Sequence, residues 1–313
     1  MKWKQEVSLP GEGKYKEGRI ISCDLNPWLM VAYNDIHSRK LPEYLFNDVN
    51  EQKPSSYLNI NYCFDGRCEM NLKDGQATFL EGKELAIDCG SASFDGNTFY
   101  YPAALYQGIE IVFTPCKELD KALKIGDNKY NHVNWLIEAN AHRERPITIP
   151  ENQVIKRCME DIRNDILDNS PKELIFIQVC RLLEILRNTS FDNEKPRTYY
   201  TSSQVKIARR VMEIITTDLS VRYTAAELAK QFMVSETSLK NYFRGVYGKG
   251  YREFINELRM ERAAELLLEN KHKVSEISEM VGFATQSRFA KAFKNYWDKS
   301  PLEYKRSCGE GMK

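Results

Sequence analysis

Residues 235–247 read SETSLKNYFRGVY, and residues 285–297 read TQSRFAKAFKNYW. Aligned, Ser235, Leu239, Phe243 and Tyr247 answer to Thr285, Phe289, Phe293 and Trp297. Each series opens with a hydroxyl residue suited to a helix N-cap and then places apolar groups four apart, on one helical face. A shorter helical segment precedes each: Thr224–Phe232 before the first and Val274–Val281 before the second. Two short helices joined by a tight turn, present twice, predict two helix-turn-helix units. That arrangement is suited to reading DNA.

Working outward, seven helices are expected. Ser203–Thr217 places Val205, Ala208, Val211, Met212 and Ile215 on one face. The first support and reading helices follow, the latter over Ser235–Val246. Tyr251–Glu269 is a long central helix with Phe254, Ile255, Leu258, Ala263, Leu266 and Leu267 inward. The second support and reading helices come next, and Pro301–Arg306 closes the chain with proline at its start. The central helix spans about 28 Å at roughly 1.5 Å per residue. Reading helices enter successive major grooves when they sit about 34 Å apart, so one chain suits two adjacent grooves.

The faces of each reading helix separate by periodicity. Leu239, Tyr242 and Phe243 form the inner side of the first, leaving Glu236, Thr237, Lys240, Asn241 and Arg244 outward. Phe289, Ala292, Phe293 and Tyr296 face inward in the second, leaving Gln286, Ser287, Ala290 and Lys291 outward near its start. Asn and Gln pair bidentately with adenine, and Lys pairs with guanine. Arg244, Lys294 and Lys299 suit phosphate contacts.

Arg259-x-x-x-Ala263-x-x-Leu266-Leu267, then Ile277, Gly282-Phe283, Phe289, Phe293-Lys294 and Ser300-Pro301-x-x-Tyr304 resemble the DNA-binding domain of the AraC/XylS family of bacterial transcription regulators. The resemblance covers roughly residues 203–307. It implies that Thr237, Lys240, Asn241, Gln286, Ser287 and Lys291 lie at base-reading positions. It also implies promoter DNA and RNA polymerase as partners, and a cupin-like sensor domain ahead of the reading domain. One departure stands out: Met233 occupies a turn position where the family usually places glycine. A left-handed backbone is costly for methionine. The first turn is therefore expected to be distorted, and the second unit to read sequence more strongly.

Charge is distributed unevenly. Residues 200–313 hold 20 Lys+Arg against 14 Asp+Glu, whereas residues 1–199 hold 25 against 30. A net positive reading half suits a phosphate backbone. With 313 residues, 42% hydrophobic and 28% charged, the chain has the make-up of a globular protein of two domains. It contains no run of about 18 uncharged apolar residues. Met1-Lys2-Trp3-Lys4-Gln5-Glu6 lacks the apolar core of a signal peptide, so a cytoplasmic location is expected.

Upstream of the reading domain the pattern changes. From about residue 55 to 115, short alternating runs predict strands: 57–62, 68–73, 76–80, 84–89 and 108–114, with another near Leu29–Tyr33. Asp65-Gly66 and Asp74-Gly75 read as hairpin turns. Many short strands suggest a small barrel or double-sheet roll. Weak helical signals lie at Lys117–Ile125 and His132–Ala141, and stronger ones at Glu151–Leu167 and Lys172–Arg187. The last two form a hairpin, with an apolar stripe that packs on the barrel, serves in part as a homodimer seam, or does both. The fold class is α+β: a β-barrel of cupin-like or jelly-roll kind with a helical hairpin at 1–190, a linker at 191–202, and an all-α seven-helix domain at 203–313.

No catalytic constellation or cofactor motif emerges. The four histidines, His37, His132, His142 and His272, lack HxH spacing, so neither metal nor other cofactor is expected. The eight cysteines form no CxxC pair, although Cys63 and Cys68 are placed to meet across a hairpin at Asp65-Gly66. The alternative to ligand control is regulation by protein contacts or by oxidation of these two. Aromatics crowd the β segment, with Tyr57, Tyr62, Phe64, Phe79, Phe94, Phe99, Tyr100, Tyr101 and Tyr106. A barrel mouth lined by some of them suits an apolar or aromatic small-molecule effector. The sequence singles out no effector-binding residues.

Overall fold

A computed structural model describes residues 3–12, 17–46, 57–89, 99–123, 132–140, 143–189 and 197–309. It has an α+β architecture in two compact units, Met1–Tyr199 and Tyr200–Lys313. Phe94 and residues 191–196 of the expected linker lie outside the described residues.

The first unit is built on an antiparallel sheet. Its strands are β1 (Lys4–Pro10), β2 (Glu17–Asn26), β3 (Leu29–Ile36), β4 (Leu58–Asn71), β5 (Gln76–Glu81), β6 (Glu84–Asp88), β7 (Tyr106–Phe113) and β8 (Ile147–Pro150). The order β1-β2-β3-β7-β4 continues from β4 in two directions, to β5 and to β6-β8. The long strand β4 makes this branch: residues 59–63 pair with β6, and residues 67–71 pair with β5.

Asp65-Gly66 is therefore not a hairpin turn. It lies within β4, at a register shift between Cys63 and Asp65 against β7. Gly66 has φ +85°, and a Cβ there would sit 2.0 Å from the Leu105 carbonyl oxygen. Only glycine fits this bulge. Asp74-Gly75 does form a turn, joining β4 to β5, and the Gln76 amide donates to Asp74 Oδ1 at 2.9 Å. Cys63 and Cys68 consequently lie on one strand, buried and with no disulfide between them. Burial raises both thiols above their usual range. Protonated buried thiols are poor nucleophiles, which argues against a redox switch at this pair.

One face of the sheet packs against helices α1 (Lys117–Ala122), α2 (His132–Asn140), α3 (Gln153–Leu167) and α4 (Lys172–Arg187). Val31, Leu58, Ile60, Ile109, Ile111 and Phe113 meet Ile155, Met159, Ile162, Ile175, Val179 and Leu182 there. Asn152 caps α3, accepting hydrogen bonds from the amides of Val154 and Ile155 at 3.0 and 2.8 Å. Pro171 occupies the cap position of α4. The α4 stripe divides. Ile175, Val179, Leu182, Leu183 and Leu186 are buried, whereas Leu174 and Ile177 are exposed; Val154 on α3 is exposed as well.

The opposite face has a mixed character. Paired residues on neighbouring strands point the same way. Ala32, Glu110, Asn61, Ala86 and Thr148 form one rung across five strands. Met30, Val112, Asn59 and Asp88 form the next. Beyond the first rung lies a second apolar cluster that includes Ile36, Cys63, Leu80, Tyr101 and Tyr106. Arg197, read as linker, belongs to this unit. Its guanidinium ion-pairs with Glu84 and hydrogen-bonds to Thr148 Oγ1 and to the Phe79 carbonyl. Arg197 and Glu84 side chains are each 9% exposed.

The second unit contains seven helices: α5 (Ser202–Thr217), α6 (Ala225–Gln231), α7 (Glu236–Tyr247), α8 (Tyr251–Glu269), α9 (Val274–Met280), α10 (Gln286–Trp297) and α11 (Pro301–Gly309). Hydroxyl caps set the starts of α5, α6, α7 and α10. Thr201 and Thr224 form reciprocal capping boxes with Gln204 and Glu227, while Ser235 accepts from the Ser238 amide and Thr285 from the Arg288 amide.

Candidate nucleic-acid interface

Both reading helices are fastened by aromatic inner faces. Phe243 on α7 is fully buried and packs on Tyr247, Tyr251 and Phe254, with ring centroids 4.6, 5.5 and 5.7 Å away. On α10, Phe293 packs on Phe289 and Tyr304 at 5.6 and 5.4 Å. Tyr296 donates to Glu261 Oε1 and the Trp297 indole to the Met260 carbonyl, so α10 is also pinned to α8 by hydrogen bonds. Large rings buried on one side hold the opposite side in place without using its polar groups.

All eight residues expected at DNA are exposed: Thr237, Lys240, Asn241 and Arg244 on α7, and Gln286, Ser287, Lys291 and Lys294 on α10. They lie opposite Leu239, Phe243, Phe289 and Phe293, which are at most 1% exposed. Lys240 is ion-paired with Glu236 one turn earlier. Ala290, expected outward, is half-buried. Arg288 was missed by the reading of outward residues. It is exposed on the first turn of α10, beside Gln286 and Ser287. Its place three residues after the capping threonine was the available signal.

The two turns share one backbone. Met233 has φ 55° and Gly282 has φ 78°. Val234 N–H reaches the Ala229 carbonyl at 3.0 Å, and Phe283 N–H reaches the Ser278 carbonyl at 2.9 Å. These are equivalent bonds of a left-handed helix ending. The expected distortion at Met233 is absent, because its side chain is 93% exposed and meets nothing that would add to the backbone strain. Gly282 is different. A Cβ there would lie 2.7 Å from both Arg259 Nη2 and the Leu219 carbonyl oxygen. Arg259, on α8, donates to the Val221 carbonyl at 3.1 Å and the Gly282 carbonyl at 3.4 Å. It thus ties the loop ahead of α6 to the turn between α9 and α10. Burial lowers the Arg259 pKa.

Among the described residues, no three His, Cys, Asp or Glu side chains gather as a metal site, and no helix is long and apolar enough to cross a membrane.

Comparison with known proteins agrees with this geometry. A helix-turn-helix domain family matches residues 228–307. The chain is 27% identical over 169 residues to the DNA-binding dual transcriptional regulator Rns of Escherichia coli, covering 54% of this chain and 61% of that protein. It is 33% identical over 105 residues to the Msm operon regulatory protein of Streptococcus mutans, covering 34% and 38%. Among solved structures it is similar to the C-terminal domain of AraT, a response regulator from Geobacillus stearothermophilus, at 32% identity and TM-score 0.31, covering 34% of this chain and 86% of that one. The match to Rns thus spans about three fifths of that relative's length. The chain carries a helix-turn-helix domain at its C-terminal end.

Proposed function

We propose that the chain is a sequence-specific DNA-binding transcription regulator of the cytoplasm, not an enzyme, and that α7 and α10 read two successive major grooves of promoter DNA. The observation that carries this is the pairing of two capped helices, each with a buried aromatic side and an exposed polar side, in one basic unit. Gln286, Ser287 and Lys291 contact bases, joined by Thr237, Lys240 and Asn241. Arg244 and Lys294 hold phosphates. Footprinting on the DNA upstream of the gene is expected to show two protected segments about one helical turn apart. Absence of any protected site would end this reading. Replacing Gln286 or Lys291 by Ala should cost about 1–3 kcal/mol at one base position.

In this reading the first unit senses a small-molecule effector and joins two chains, and the bound regulator contacts RNA polymerase as an activator. The exposed Leu174 and Ile177 on α4 support the homodimer. Ile177→Asp is expected to leave the far-ultraviolet dichroism unchanged and to convert the dimer to monomer in sedimentation. A dimer that persists would move the seam elsewhere.

A further inference from the structure

Helix α5 of the second unit borders a groove of about 430 Å³. Lys206, Arg210 and Glu213 line it at spacings of four and three residues, so they form one stripe along the helix. Ile207 and Arg209 flank that stripe, and Phe232, the C-cap residue of α6, lines the groove with them. Ile207 and Phe232 are both half-buried, which leaves apolar surface open among the cations. None of these residues is among the eight expected at DNA.

The residue after Phe232 is Met233, whose backbone is left-handed and whose side chain is 93% exposed. Glycine takes the equivalent turn of the second helix-turn-helix without a side-chain penalty, at Gly282. A methionine in solvent gains no packing in return for its strain. Strain kept without benefit to the fold argues for a use outside it. Methionine suits such a use, being flexible, polarisable and able to cover apolar groups of varied shape. The strained turn and the groove thus adjoin, and both present apolar surface.

Charge selects the occupant. The lining sets three cations against one carboxylate, and Glu213 is paired with Arg210 at 2.7 Å. A net positive groove draws an anionic partner. DNA is a poor match, because a sugar–phosphate strand has no apolar group for Phe232 and Met233, and Glu213 repels phosphate. A small anion is a poor match as well. All the lining residues but Phe232 come from α5, so nothing encloses a small molecule on several sides. A stretch of polypeptide fits better. From Lys206 to Glu213 the stripe runs about 10 Å, the length of about two turns of a partner helix.

We propose that this groove, continued by Met233, docks an acidic amphipathic segment of a partner protein. Carboxylates of the segment pair with Lys206, Arg209 and Arg210, and an apolar side chain lies on Ile207, Phe232 and Met233. The surface is a function additional to DNA reading and does not depend on it.

The test is fluorescence anisotropy of the full chain with labelled peptides of about ten residues, in which Asp and Glu surround one or two Leu or Phe. Two control sets replace the acids by Asn and Gln, or the Leu and Phe by Ser. At least one acidic amphipathic peptide is expected to bind with Kd on the order of 10–100 μM, and its controls about tenfold more weakly. The double change Lys206→Glu with Arg210→Glu should weaken that peptide about tenfold or more. Met233→Gly removes a strained side chain that packs on nothing, so it should keep the fold while weakening the peptide about threefold or more. In a spectrum of methyl-labelled methionine, the signal missing from Met233→Gly should be the one that moves when peptide is added. Absence of binding by every acidic peptide would overturn the proposal. Equal binding by either control set, or full-strength binding by the variants, would do the same. If Lys206→Glu with Arg210→Glu weakened DNA binding and left the peptide unaffected, the groove would belong to nucleic acid and the proposal would fall.

Discussion

Met233 and Gly282 occupy equivalent turns with opposite tolerances. Met233 takes a left-handed conformation with its side chain in solvent. Met233→Gly therefore removes strain of roughly 1 kcal/mol and loses no packing. Denaturant unfolding of the variant should show a gain of about that size, less the entropy cost of glycine. Gly282→Ala adds both that strain and a Cβ pressed against Arg259 and the Leu219 carbonyl. Its expected cost exceeds about 2 kcal/mol. Sequence alone located the special turn position but misjudged its effect. A left-handed angle is penalised through side-chain surroundings as well as backbone, and those surroundings form only when Arg259 folds across from α8. Glu110 is a second residue with a measurable signature. Burial raises its pKa, so the folded chain holds its proton to higher pH than the unfolded chain does. Stability from this group is greatest below the unfolded carboxyl value and declines as pH rises from there through the folded value. Glu110→Gln should flatten that decline in a series of unfolding curves.

At the level of elements, the helices were the legible part. Caps and four-residue spacing set the reading helices to within a residue, because both signals are local. Strands were less legible. β1 and β2 escaped notice, and β4 was split in two at Asp65-Gly66. The same dipeptide makes a hairpin or a bulge according to what lies beside it, and here β7 continues along both sides of the kink. Arg197 shows the same limit. It was read as linker because residues 193–197 lack periodicity, yet its guanidinium is buried against Glu84, Thr148 and the Phe79 carbonyl. Long-range polar contacts leave no periodic trace. Arg197→Met leaves the buried Glu84 carboxylate without its ion-pair partner, and a loss of about 3–5 kcal/mol is expected in the unfolding of the full chain. The double change Arg197→Met with Glu84→Gln should recover part of it. On α7, Glu236→Gln releases Lys240 from its ion pair. Tighter DNA binding, with little change in Tm, is the expected result in a fluorescence titration, since such surface pairs contribute only about 0.3–0.5 kcal/mol.

Across the whole chain, charge is segregated between two units: the DNA-reading one is net positive and the other net negative. Affinity for DNA should therefore fall with salt. If the four basic side chains Lys240, Arg244, Lys291 and Lys294 each displace a counterion, log K against log salt should have a slope of about −3 to −4. Removing one phosphate contact by Lys294→Ala should reduce that slope by about one and weaken all DNA sequences alike. The two helix-turn-helix units were legible because a doubled motif repeats its evidence. The polar cluster of Glu110, Asn34, Asn59 and Asn61 was not, because these residues come from three strands and meet only through sheet register.

Arg259 has a consequence for the DNA itself. One guanidinium grips carbonyls from both halves of the reading domain, so the two heads form a caliper set to one opening. A caliper does not adjust to its object. Inserting about five base pairs between the two contacted segments turns one of them to the far side of the duplex, and binding should collapse to that of a single head. Inserting a full turn restores the facing side but exceeds the reach. Promoters served by this chain should accordingly tolerate changes of base within the spacer far better than changes in its length.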